Sequence, residues 1–352
     1  MIKGGMFMQQ HRMTVPGPLL DANGRLTERG YALSLIKDYD RQAVKAPSFR
    51  IKEWDYYCIV SDRYALALTV ADNGYLYMDS VSILDFDDHS QATWSSIQPP
   101  FGGRRLPATS VVGDIGVSGK DYAITFENNG KQRRLYGHVD RFPNSNGKPL
   151  LFDVTLTGVP RDSMVIATPF AGRPKAFYYN QKINCLRAEG KAVYGDKEYL
   201  FSPAHSFAVL DWGRGVWTYD NTWYWGSASG LTDGVPFGFN IGCGFGDTSA
   251  ASENMLFYNG IAHKLSRVAF EIPMKDGKED YLSPWKFTSD DHRFEMDFEP
   301  IMDRSADINV GVIRSDQHQV FGRFTGRAVL DDGREIMLRR FPGFAEKVHN
   351  RW

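Results

Sequence analysis

From residue 49 onward the chain is written in strands. FRIKEWDYYCIV (49–60), YALALTVAD (64–72) and GYLYMDSVSILDF (74–86) are β-branched and aromatic runs, separated by very short turns carrying Asp, Asn or Gly. DYAITFEN, RRLYGHVDRF, LLFDVTLTG and MVIATPF continue the series. The second half repeats the style in WYWGSASG, PFGFNIGCG, NMLFYNGIAHKL, SRVAFEIP, HRFEMDFEPI, HQVFGRFTGRAVL and EIMLRRF. HRFEMDFEP alternates cleanly, which predicts Phe294, Met296 and Phe298 on the core face and Arg293, Glu295 and Asp297 facing out. AVLDDGREIML predicts a hairpin whose Asp332-Gly333 pair suits a tight primed turn.

Short strands at such spacing predict meandering antiparallel sheets. Only Leu26–Lys45 carries a helical pattern, weakened at its N-terminal turn by Gly30, so a short N-terminal helical segment is expected before the strands. The fold class is therefore all-β, in two units of unequal size. Residues 1–218 and 219–352 divide them, where the strand pattern restarts near Tyr219–Thr222.

Composition narrows the function. Lys and Arg number 41 against 42 Asp and Glu, so the chain lacks the basic footprint of a nucleic-acid binder and any polybasic membrane signal. MIKGGMFMQQHRM holds no apolar run of signal-peptide length, and stretches such as Tyr64–Ala71 are far too short to span a bilayer. Cys58, Cys185 and Cys243 stand far apart with no C-x-x-C pair, which argues against a disulfide framework and fits a reducing cytoplasm.

The densest chemistry lies between Phe201 and Gly246. Trp212, Trp217, Trp223 and Trp225 are interleaved there with Asp211, Arg214, Tyr219 and Ser227. Two readings stand: the wall of a pocket, or an aromatic core between sheets with one structural Asp–Arg pair. Asp211 follows the apolar run SFAVL, at the place where a barrel mouth is expected. Indole faces around it would raise its proton affinity, and Arg214 would lower it.

Phe237–Asp247, which contains Asn240, is rich in glycine but lacks the G-x-G-x-x-G spacing, because Asp247 stands where the third glycine belongs. A bent, bulged strand accounts for its glycines better than phosphate binding does. No metal site is expected: His292 and His318 lack spaced partners, and the acidic run at 85–89 lacks the glycine and terminal Glu of a calcium loop. Gly226-Ser-Ala-Ser-Gly230 has alanine at the nucleophile position, which disfavours serine hydrolysis. His318 and Gln319 adjoin a strand and, as neighbours, face opposite sides, so at most one looks into a pocket.

LDWGRGVW, WYWGSASG, GFNIGCGFGD, ENMLFYNG, HQVFG and the terminal GFAEKVHNRW together resemble the bacterial and fungal family catalogued as domain of unknown function 2804, from about Gly17 to Trp352. More distantly the pattern is similar to the superfamily of carotenoid 1,2-hydratase, tocopherol cyclase and AttH-like proteins. That likeness implies two lipocalin-like antiparallel barrels in tandem and a site near their junction, with Asp211 and Trp212 at the matching positions. The superfamily typically has Trp before the Asp; here Leu210 precedes Asp211.

The chemistry so implied is hydration or cyclisation of an alkene, which needs a general acid, aromatic faces for the carbocation and exclusion of water, with no cofactor. Asp211 is then the expected acid and Tyr219 its helper. Trp212, Arg214, Trp217, Trp223, Trp225, Asn240, His318 and Gln319 are the expected contacts to a small hydrophobic ligand of lipid or isoprenoid type. The rival readings are a non-catalytic lipid carrier with the barrel as container, and a carbohydrate-active β-protein needing two suitably spaced carboxylates.

Overall fold

The structure, a computed structural model, describes residues 9–101, 103–311 and 313–352. The first eight residues, part of the segment read for a signal, lie outside the described residues. Two curled antiparallel sheets stand in tandem, the all-β, lipocalin-like arrangement expected. The path of the first runs through Ser90–Gln98, Tyr77–Asp85, Tyr64–Asp72 and Ile51–Val60. It then jumps to Phe207–Val216 and returns through Arg173–Tyr194, Leu150–Thr157, Arg133–Val139, Tyr122–Asn128 and Ile115–Gly119. This sheet curls until the rings of Trp94 and Tyr122 meet, 4.6 Å apart.

The second sheet is centred on Asp220–Thr232, which pairs with Val235–Cys243 on one side and Glu335–Arg351 on the other. Ile313–Val329, Phe294–Val310, Trp285–Ser289 and Val268–Glu271 follow outward. The chain leaves the first sheet at Val216 and enters the second at Asp220. Gln10 reaches back to the second half, donating from Nε2 to the carbonyl of Leu265 at 2.8 Å.

Period-two alternation decides which way each side chain looks. Along Phe207–Val216, Ala208, Leu210 and Trp212 enter the first core, while Val209 joins the layer between the sheets. Phe294, Met296 and Phe298 all enter the second core, as the sequence pattern required. The interiors of both sheets are filled with side chains, Trp212 and Tyr179 in one, Trp285, Phe239 and Phe324 in the other. Small barrels fill in this way.

Three expectations are corrected. Among the described residues there is no α-helix, and Leu26–Lys45 holds the strands Gly30–Ala32 and Lys37–Asp38 with one 3-10 turn at Arg41–Ala43. Gly30 has φ +149, and a Cβ there would lie 2.4 Å from the carbonyl oxygen of His11. The segment is extended because it covers the end of the first core, where Tyr39 packs edge-on against Trp212. The Asp332-Gly333 turn is not of the primed type. Only Gly333 has positive φ, and its N–H donates to Leu330, giving a type I turn closed by a left-handed glycine. The Asp211–Arg214 pair does not form, because three residues apart on a strand they face opposite sides. Arg214 points into the first half and donates to Asp55 at 2.9 Å.

Candidate functional site

A cavity of about 190 Å³ lies between the two sheets, outside both filled interiors. Its apolar walls are Trp54, Tyr178, Trp217, Trp223, Trp225 and Phe245. Trp54 stacks at 6.1 Å on Tyr178 and meets Trp217 edge-on at 5.2 Å. Trp54 can lie flat on its neighbouring strand because that position is Gly213, where a Cβ would sit 1.9 Å from Trp54 Cζ2. Trp223 and Trp225 look toward the first sheet and Tyr224 packs on Phe270 of the second, the alternation of a strand.

Polar groups come from two cross-strand rows that face each other. On the first sheet Thr69, Tyr56, Asp211 and Lys182 are successive direct partners across four strands. On the second, Arg304, Gln319, Glu346 and Trp225 form the matching row. Direct cross-strand partners share a face, so each row presents its side chains to the cleft together.

Specific bonds tie the rows. Tyr56 OH donates to Gln319 Oε1 at 3.1 Å, and Gln319 Nε2 donates to Glu346 Oε2 at 3.0 Å. Trp223 Nε1 donates to the other oxygen, Glu346 Oε1, at 3.0 Å. Lys182 Nζ sits 2.6 Å from Asp211 Oδ2 and 3.8 Å above the ring of Trp225. Asn180 Nδ2 donates to Asp211 Oδ1 at 2.6 Å. Both oxygens of Asp211 are thus occupied as acceptors.

Beyond Trp225 stands Glu253. Its carboxyl lies over Gly242, where a Cβ would come within 3.3 Å of Oε2. Among the described residues no donor reaches that carboxyl. Its backbone is held: Asn240 Nδ2 bonds the Glu253 carbonyl, and Lys264 Nζ bonds the flanking carbonyls of Ser252 and Asn254. Burial pushes the Glu253 carboxyl up to about 7, reinforced by Asp211 and opposed by Lys182 and Lys264. Burial does the same for Glu346, also up to about 7, against the lowering bond from Trp223 and the charges of Lys182 and Arg304. Two buried carboxyls titrating near neutrality in an aromatic cleft mark a site suited to proton transfer.

The expected residues divide. Asp211, Trp217, Trp223, Trp225 and Gln319 line the cavity. Trp212 and Arg214 do not: they point into the first half, the guanidinium carbon 4.4 Å from the Trp212 ring. Asn240 sits behind the wall, accepting from Trp225 Nε1 at 2.7 Å, and so orients a lining residue. Tyr219 is half exposed and outside the cavity lining. His318 turns away from Gln319, stacking on Tyr281 at 3.8 Å with Nδ1 2.6 Å from Asp303. Burial lowers its proton affinity, but Asp303, Asp316 and Glu279 together outweigh this and the net shift is upward.

Lys182, Glu253, Arg304, Glu346 and Tyr56 escaped the sequence reading. One signal was available for Glu346: in FPGFAEKVHN it shares a parity with Phe344 and Val348, so an acid occupies the apolar register of a strand.

The fold is an all-β architecture with a polar, aromatic-walled cavity at the seam of two curled sheets. The chain is a member of the family described as Domain of unknown function (DUF2804), which matches residues 10–352. No curated protein matches the sequence. Among solved structures it is similar to kievitone hydratase from Nectria haematococca, at 12% identity and TM-score 0.53, covering 95% of this chain and 98% of that one. A putative AttH from Nitrosomonas europaea aligns at 13% identity and TM-score 0.49, covering 88% and 95%. CghA aligns at 10% identity and TM-score 0.49, covering 96% and 97%.

Proposed function

We propose that the cleft binds a small unsaturated hydrophobic molecule and hydrates or cyclises it by protonating a carbon–carbon double bond. The observation that carries this is the pair Glu253 and Glu346, buried carboxyls that keep protons to about pH 7 against an indole-lined cavity. The fold shared with a hydratase agrees with it.

Glu253 is the better acid, because no donor stabilises its anion. Its proton goes to one alkene carbon, leaving the positive charge on the other. The face of Trp223 attracts that cation, a contribution of about 0.5–2 kcal/mol; that of Trp225 is taken by the Lys182 ammonium. Glu346, which accepts two N–H bonds, is the better base and takes the proton of the attacking water. The proton balance closes when Glu346 releases that proton to solvent and Glu253 takes one up. Asp211, the donor suggested by the family resemblance, is engaged on both oxygens and instead fixes the Lys182 ammonium. The unpaired state of Cys58, Cys185 and Cys243 agrees with a cytoplasmic setting.

The carrier reading keeps one foothold. With both interiors filled, a carried lipid would occupy this same cleft. Incubating the protein in D₂O with a panel of terpenoid and prenylated phenolic alkenes separates the two. Turnover places one deuterium on carbon, seen as a mass shift, and is lost in Glu253→Gln. Ligands that bind but never acquire deuterium would make the protein a carrier.

A further inference from the structure

We infer that Arg304 is the anchor for a carboxylate on the ligand, so that the molecule bound is an unsaturated carboxylic acid. This rests on the cleft being the ligand site.

Two cations line the cavity, Lys182 and Arg304. Lys182 is committed to Asp211. Arg304 has no carboxylate within ion-pair distance among the described residues. Its one hydrogen bond to protein there runs from Nη1 to Ser82 Oγ at 3.0 Å. The rest of a planar five-donor fork is left for a ligand, and that fork matches a carboxylate bidentately.

Charge limits what that partner carries. Lys182 and Asp211 balance one another, which leaves Arg304 as the cation to be matched. One negative charge offsets it; a second or third would be opposed by Glu346, the base that lines the same cavity. A monoanionic carboxylate fits both conditions. Its negative head group also raises the proton affinity of Glu346, which strengthens that residue as the base.

The test uses Trp fluorescence and calorimetry on the whole chain, with a panel of unsaturated fatty and terpenoid acids and their methyl esters. The acids are expected to bind about tenfold or more tightly than the esters. In Arg304→Met that preference should disappear while ester affinity stays the same, and Arg304→Lys should restore part of it. Melting curves show whether the variants remain folded; acid and ester compared within wild type decide the matter even if Arg304→Met does not fold. Equal affinity of acids and esters overturns the anchor while leaving the cleft as an apolar site. A preference that survives Arg304→Met also overturns it. If neither acids nor esters bind, the cleft reading falls with it.

Discussion

Lys182 Nζ and Asp211 Oδ2 lie 2.6 Å apart on directly paired positions of neighbouring strands, with side chains only 4% and 11% exposed. The ammonium also rests on the face of Trp225, which belongs to the other sheet. An ion pair of one half is thus pressed against an indole of the other. Asp211→Asn keeps the shape but strands a buried ammonium, and the expected cost is about 3–5 kcal/mol in urea unfolding. Lys182→Met in the same chain should recover most of it. A fully stable Asp211→Asn would show that the pair braces nothing.

Glu253 and Glu346 set a pH dependence whose sign is fixed. Each holds its proton to about 7 when folded, against an ordinary value of 4.5. Between those values the folded state binds more protons than the unfolded one, so their contribution to stability falls as pH rises through that window. Lys264 works the other way above it: burial lowers the ammonium to about 7, and stability returns as pH climbs toward 10.5. The expected difference between wild type and Glu253→Gln/Glu346→Gln is a decline between pH 5 and 7, read from melting temperatures at half-unit steps. Parallel curves would mean that neither carboxyl is protonated near neutrality.

Gly213→Ala tests the wall. The backbone there is ordinary, so the effect is steric: the methyl would occupy space held by Trp54. A loss of about 1–3 kcal/mol is expected, as for other overpacked cores, with Trp54 displaced toward the cavity and its capacity reduced. Ligand capacity and thermal stability both unchanged would show that Trp54 is not seated there.

Arg214→Met separates core from cleft. Arg214 donates to Asp55 and to the carbonyls of Trp54, Gly213 and Pro107. Losing it leaves the Asp55 carboxylate buried and unpaired, at about 3–5 kcal/mol. Affinity of the folded fraction for cleft ligands should hold within about twofold. A selective loss of binding at full stability would place Arg214 back in the site.

How much of this was legible follows from what a sequence encodes locally. Alternation along HRFEMDFEP gave the buried face of that strand, and the tryptophan cluster pointed to Trp217, Trp223 and Trp225. The interior position of Trp212 and Arg214 was a matter of parity: they differ by one residue from Asp211 and Gly213, and so look the other way. Leu26–Lys45 misled because its spaced apolar residues serve a covering segment rather than a helix face. Nothing local brings Lys182 to Asp211 or Arg304 to Glu346. Those adjacencies come from strand order and register, set by long-range pairing such as Ile51–Val60 with Phe207–Val216.

The seam between the sheets has an outcome for how the protein is inherited and built. Each half brings one row, so neither half alone carries a working site, much as neither side of a zip holds a garment. A fragment ending at Val216 would present Asp211 and Lys182 to water, without the Trp225 indole against them and without Glu253 and Glu346. Exchange of one half for that of a distant relative would preserve two sound folds and abolish the proposed chemistry, unless both rows were exchanged as a unit.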